Sequence, residues 1–104
     1  MKAEKIKLTG SFAYGTPTKE SDIDFVVHAD AELIDLLAQA ADTTATGSSS
    51  ENDVSCRFGK LNLVLFSDEE RYNAGVEGTD ELISRKPVDR ETAKRVMKEK
   101  TGED

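Results

Sequence analysis

Leu8-Thr9-Gly10-Ser11-Phe12-Ala13-Tyr14-Gly15 and, after residues 16–20, Ser21-Asp22-Ile23-Asp24-Phe25-Val26-Val27 are the stretches whose reading decides the fold. Ile6-Lys7-Leu8 alternates apolar and polar and ends at Gly10, the pattern of a short strand running into a turn. A brief helical turn follows over Phe12 to Tyr14, stopped by Gly15-Thr16-Pro17, and Thr18 to Ser21 reads as loop. Ile23 to Val27 is β-rich and makes a second strand. Asp22 and Asp24 stand two apart, so their side chains leave the strand on one side while Ile23 leaves on the other.

Further along, Asp30 suits a helix N-cap, and Leu33, Ile34, Leu37 and Ala41 recur at helical spacing behind it. Residues 43–52 are polar, rich in Thr and Ser and without periodicity, which predicts a flexible loop. Val54 to Phe58 and Leu61 to Phe66 are β-rich runs joined at Gly59-Lys60, the pattern of a tight hairpin. Ser67 with Glu70 matches a capping box and predicts a helix with Tyr72, Val76, Thr79 and Ile83 on one face, weakened by Gly75 and Gly78. A last helix, capped by Asp89 and presenting Ala93, Val96 and Met97, leads to a charged tail at 101–104. Strands and helices interleave around one hairpin. The expected fold is therefore a single α/β (α+β) domain over 1–104, a small mixed sheet with helices packed mainly on one face.

A chain of 104 residues with 37% apolar and 34% charged residues can build one modest core and contains no apolar run of the roughly 20 residues needed to span a bilayer. MKAEKIKLTG lacks the apolar segment of a secretory signal and Cys56 has no partner, so the expected location is cytoplasmic. The net charge of −7 opposes membrane surfaces and nucleic acid as partners of this chain alone. That charge is uneven: residues 85–100 carry +4 and the remainder −11. The basic stretch reads either as a solvated helix face or as a flank that attracts phosphate or an acidic partner.

Chemistry concentrates in the opening stretches. Where a strand turns into a helix start, unpaired backbone N–H groups and the Ser11 hydroxyl can bind phosphate oxygens, and Gly10 lets a phosphate approach the backbone closely. Two carboxylates on one side of a strand can converge on one hard cation, and Mg²⁺ takes a few carboxylates plus waters and substrate phosphates.

GSFAYG, the loop, and SDIDFVV together resemble the signature of the DNA polymerase β-like nucleotidyltransferases: Gly-Ser, a spacer of about ten residues, then Asp-hydrophobic-Asp on a strand. The nearest resemblance is to minimal members, antitoxin-type or phage-encoded, and it covers residues 6–66 best. It implies a nucleotidyltransferase-like fold, ATP or another nucleoside triphosphate as donor, and transfer of NMP to a hydroxyl. Gly10, Ser11 and Ser21 would then bind the nucleotide, and Asp22 and Asp24 would be catalytic and hold Mg²⁺. Active members carry a third carboxylate in a hydrophobic-Asp-hydrophobic setting on a later strand; the corresponding run here, Leu61-Asn62-Leu63, has Asn62. A two-metal reaction needs that carboxylate, and an amide cannot accept a proton, so Asn62 points to one metal rather than two. Asp53 and Asp68 are the candidate substitutes. Two functions stay open: a nucleotidyltransferase, or an impaired binding module that docks on a protein partner as an inhibitor or antitoxin does.

Other residues carry plainer expectations. His28 reads as a strand-end histidine, Cys56 as core, and Tyr14 as packing against the turn. Arg57 and Lys60 either meet a triphosphate or stand as solvated edge residues.

Overall fold

The computed structural model describes residues 3–46 and 54–101. Its elements run β1 (Ala3–Thr9), α1 (Ser11–Tyr14), β2 (Ile23–Ala29), α2 (Ala31–Ala40), β3 (Thr43–Thr46), β4 (Val54–Phe58), β5 (Leu61–Phe66), α3 (Glu69–Ser84) and α4 (Arg90–Thr101). The five strands form one sheet in the order β1-β2-β5-β4-β3. β2 and β5 pair in parallel and the remaining neighbours are antiparallel. A mixed sheet follows because β2 reaches its parallel partner only through a crossover, here α2, β3 and β4, whereas β4 and β5 are joined by the two-residue turn Gly59-Lys60.

Alternation along the strands sorts the core onto two faces. Val27 and Ala29 of β2, Cys56 of β4 and Leu65 of β5 pack with Ile34 of α2. On the opposite face Val26 and Phe66 meet Tyr72 of α3. A third cluster, Tyr14, Leu82, Ala93 and Val96, joins α1, α3 and α4 beside that second face. Three of the four helices thus gather on one side of the sheet, and α2 covers part of the other. Gly78 lets the last two helices close together, since a Cβ there would stand 2.7 Å from the Met97 sulfur. No helix among the described residues is long and apolar enough to cross a membrane.

The caps at Asp30 and Asp89 form as their sequence positions suggest: each carboxylate accepts from the backbone N–H three residues on, Leu33 at 2.8 Å and Thr92 at 2.7 Å. The start of α3 differs. Its N-cap is Asp68, whose carboxylate accepts from Glu70 N at 2.9 Å, rather than Ser67. The chain stays extended through Asp68, which moves Glu69 and Glu70 into the first turn, where the positive helix end favours them. The flexible loop expected over 43–52 also needs correction, because Thr43–Thr46 form β3 and pair with β4 from Thr43↔Arg57 to Thr46↔Val54. An edge strand needs a bonded neighbour on one side only, and β-branched threonines fit a pleated surface even where apolar residues are few. The rest of that segment and the tail beyond Thr101 lie outside the described residues.

One buried polar contact fastens β1 to α3. Thr79 Oγ1 donates to Gly75 O at 2.9 Å, which leaves Thr9 to donate to Thr79 Oγ1 across 2.8 Å. Both residues are buried, Thr79 completely. Thr79→Val should therefore strand the Thr9 hydroxyl and destabilise the fold by about 1–3 kcal/mol. Urea unfolding should show a smaller loss in Thr9→Val/Thr79→Val than the sum of the two single losses; simple additivity would remove the coupling.

Candidate active site

The register of the sheet puts Asp24 between two named neighbours, Thr9 on β1 and Asn62 on β5. Gly10 follows Thr9 and leaves the strand with φ of +72°, a conformation that L side chains rarely adopt. A Cβ on Gly10 would stand 2.2 Å from Asp24 Oδ2, so the carboxylate lies directly against the bare backbone. Beyond it, the amides of Ala13 and Tyr14 donate to Gly10 O at 2.9 and 3.1 Å and close the turn of α1. Ser11 stands at the start of that turn, where the first amides have no partner within the helix.

Asp22 immediately precedes β2, at the end of a loop pinned from both sides. Ser21 Oγ accepts from Thr18 N at 2.8 Å, and Glu20 N donates to Thr18 Oγ1 at 3.3 Å. Lys60 donates through Nζ to the Lys19 carbonyl, and its own carbonyl accepts from Ile23 N at 2.7 Å. The hairpin thus holds the loop that carries Asp22, which gives Lys60 a role in shaping the site. Ser21 lines the cleft with a hydroxyl already engaged in the loop.

Each carboxylate has a protein partner. Asp22 Oδ2 accepts from Arg57 Nη1 at 2.9 Å, with side chains 36% and 42% exposed. Asn62 accepts through Oδ1 from Ser55 Oγ at 3.2 Å, which leaves its NH₂ as the group that favours the charged form of neighbouring Asp24. Burial pushes the Asp24 carboxyl above its ordinary value; the Asn62 hydrogen bond opposes this, neighbouring Asp22 adds to it, and Arg57 and Arg90 oppose it.

A cleft of about 650 Å³ opens over these groups. Ser11, Glu20, Ser21, Asp22 and Asp24 line it, and so do Asp89, Arg90 and Lys94 at the start of α4, so four carboxylates and two cations share the lining. The structure therefore brings Gly10, Ser11, Ser21, Asp22 and Asp24 together and sets Asn62 beside Asp24. It does not bring Asp68 there: that residue follows the far end of β5, six residues from Asn62, or roughly 20 Å along an extended strand. Asp53 lies outside the described residues.

His28 is within β2 rather than after it, its ring 5.9 Å from that of Tyr72. Cys56 is wholly buried among apolar side chains, which push its thiol up and away from reactivity. Tyr14 is buried in the helical cluster. Arg90 and Lys94 were hidden in the sequence within a long basic run; their i, i+4 spacing alone hinted at a shared face.

The donor set bears on the Mg²⁺ implied by the resemblance. Among the described residues no three His, Cys, Asp or Glu side chains gather as a metal-holding group. Two carboxylates on one side of a strand end, one of them held against bare glycine backbone, still suit a single Mg²⁺ completed by water and substrate phosphate.

The model of the family described as Nucleotidyltransferase domain matches residues 2–100, and the chain belongs to that family. No curated protein and no solved structure gives a significant match.

Gly10 is where backbone and site are most tightly coupled. Gly10→Ala should cost about 1–3 kcal/mol, from the left-handed backbone and from pushing Asp24 aside. In an Asp24→Ala background the two closest contacts, with Oδ2 and Cγ, are removed, so the second substitution should cost less than it does in the wild type. Chemical denaturation of the four proteins measures this, and equal costs in both backgrounds would separate Gly10 from Asp24.

Proposed function

We propose that this nucleotidyltransferase-family domain binds a nucleoside triphosphate with one Mg²⁺ in the cleft and transfers NMP to a hydroxyl acceptor. The observation that carries the reading is the make-up of the cleft: Asp22, Asp24 and Ser11 share its lining with two cations of α4, Arg90 and Lys94, beside two further acids, Glu20 and Asp89. A polyphosphate with a bound cation complements both signs of charge in the lining.

Asp22 and Asp24 would hold the ion, which when bound supplies charge neutralisation at the phosphates. Ser11 and the first amides of α1 would serve phosphate oxygens, while Gly10 makes room for the Asp24 carboxylate beside them. In the transfer, the acceptor oxygen forms a bond to the α-phosphorus. The bond from that phosphorus to the bridging oxygen breaks, and pyrophosphate leaves with the electron pair. The acceptor proton goes to solvent, because Asn62 cannot take it. Loss of general-base help makes such transfer slow, by about 10²–10⁴ relative to a site with the carboxylate.

A second reading has its own observation. Arg57 satisfies Asp22 and Asn62 satisfies Asp24, so the carboxylates are partnered by the protein itself. This suits a nucleotidyltransferase-fold module of the antitoxin or phage type that docks on a basic protein partner through an acidic surface.

Labelled ATP, GTP, CTP and UTP, offered with Mg²⁺ and cell lysate, should label a target in the wild type and not in Asp22→Asn/Asp24→Asn. Equal labelling in both, or none in the wild type, would sink the transfer reading. A partner captured equally by wild type and double variant would favour docking.

Asn62→Asp should place a third carboxylate beside Asp24 with little change in volume. Without metal the carboxylates repel, so the variant should melt below wild type in EDTA and regain stability with Mg²⁺. Transfer should rise, by up to about 10²–10⁴. If neither Mg²⁺-dependent melting nor transfer changes, position 62 is not the vacant ligand place.

A further inference from the structure

We infer that Arg57 is a phosphate-binding residue held in reserve on Asp22, so that the metal ion and a polyphosphate enter this site together and the ion alone is disfavoured. The inference rests on the nucleotide-binding reading and adds a residue and an order of binding to it.

Arg57 sits within β4, its Cα paired with Asn62 of β5, whose own neighbour on the other side is Asp24. The backbone is thus fixed in the sheet, and the long side chain spans from there to Asp22 at the cleft wall. Among the described residues, Asp22 is the carboxylate with which Arg57 pairs. The two side chains are 42% and 36% exposed, so water competes for both and the pair is weak enough to exchange.

A divalent ion on Asp22 has to displace this guanidinium. If the ion came alone, it would also leave a cation beside a cation, with the freed guanidinium next to the ion that displaced it. A phosphate arriving with the ion reverses the balance. It gives the released guanidinium an anionic partner of matching planar fork geometry, and the ion takes over Asp22. Asp24 needs no such exchange, because its partner is the neutral amide of Asn62. Arg57 therefore acts against free metal and in favour of metal-bound polyphosphate. A side chain with only a structural role would affect both in the same direction.

The opposite signs make the test. Mn²⁺ in place of Mg²⁺ allows free ion to be counted by electron paramagnetic resonance, and tripolyphosphate serves as a ligand without a base. Arg57→Ala should bind Mn²⁺ alone about fivefold more tightly than wild type, and the preformed Mn²⁺–tripolyphosphate complex about fivefold more weakly, in keeping with an exposed ion pair. Arg57→Lys, which keeps the charge and loses the fork, should fall between the two. Arg57→Gln serves if the alanine variant does not fold, with the same pair of shifts expected. Both affinities moving together, or neither moving, would overturn the role of Arg57 while leaving the metal site intact. Asp22→Asn/Asp24→Asn binding the Mn²⁺–tripolyphosphate complex as wild type does would instead overturn the nucleotide-binding reading, and this inference with it.

Discussion

The parallel pairing of β2 with β5 is the constraint on which the rest of the site depends. It sets Asp24 beside Asn62 and, through the antiparallel pair of β5 with β4, sets Arg57 beside Asn62 in turn. Three polar residues from three strands thus line up across the sheet at one end, where β1 also turns away at Gly10. A slip of one residue between β2 and β5 would send Asn62 to the opposite face, among the side chains packed under α2. The apolar residues farther along the same two strands oppose such a slip. Val26 and Phe66 must meet Tyr72 on one face, while Val27 and Leu65 meet Ile34 on the other. The core therefore fixes the register, and the register builds the site.

The elements that local chemistry specifies were legible in the sequence, and those set by longer-range contacts were less so. The hairpin of β4 and β5 follows from two apolar runs around Gly59-Lys60, and the caps at Asp30 and Asp89 from a carboxylate placed just ahead of a periodic face. β3 was not legible because three threonines and an alanine carry no periodicity; they are a strand only because β4 offers a free edge beside them. The start of α3 was ambiguous by one residue, since Ser67 and Asp68 can each cap a helix and the choice depends on where β5 releases the chain. Within the site, Gly10, Ser11, Asp22 and Asp24 could be read from spacing alone. Arg90 and Lys94 could not, because whether a basic helix faces water or a cleft depends on how α4 folds back over α1 and α3.

The charge distribution takes on meaning in the same geometry. Acidic and basic parts of the chain could have stayed apart as solvated surfaces, but the fold of α4 brings Arg90 and Lys94 into the lining of the cleft that also holds Glu20, Asp22, Asp24 and Asp89. Elsewhere the pairs are peripheral. Lys5 with Glu69 at 3.0 Å and Lys7 with Asp80 at 3.2 Å tie β1 to α3 at the exposed surface, where ion pairs contribute little to stability. The fold is held instead by its apolar clusters and the buried threonine pair.

Asn62 belongs to the same pattern, as its hydrogen bonds show. Ser55 Oγ donates to Asn62 Oδ1, which leaves the amide NH₂ as the group that acts on Asp24. The Asp24 carboxylate thereby gains a donor at the position where the family resemblance places a third carboxylate. An amide in this place changes the electrostatics in a definite direction: it favours the charged form of Asp24 against the burial that opposes it. Ser55 would serve as a donor equally well to a carboxylate at position 62, so the surroundings discriminate little between the two side chains. What discriminates is Asp24 itself, which in the absence of a cation accepts a neighbouring NH₂ and repels a neighbouring carboxylate. Asn62 thus makes the metal-free site self-consistent, with Arg57 doing for Asp22 what the amide does for Asp24. The two partners differ in kind: the amide is neutral, whereas the guanidinium carries a full charge onto Asp22.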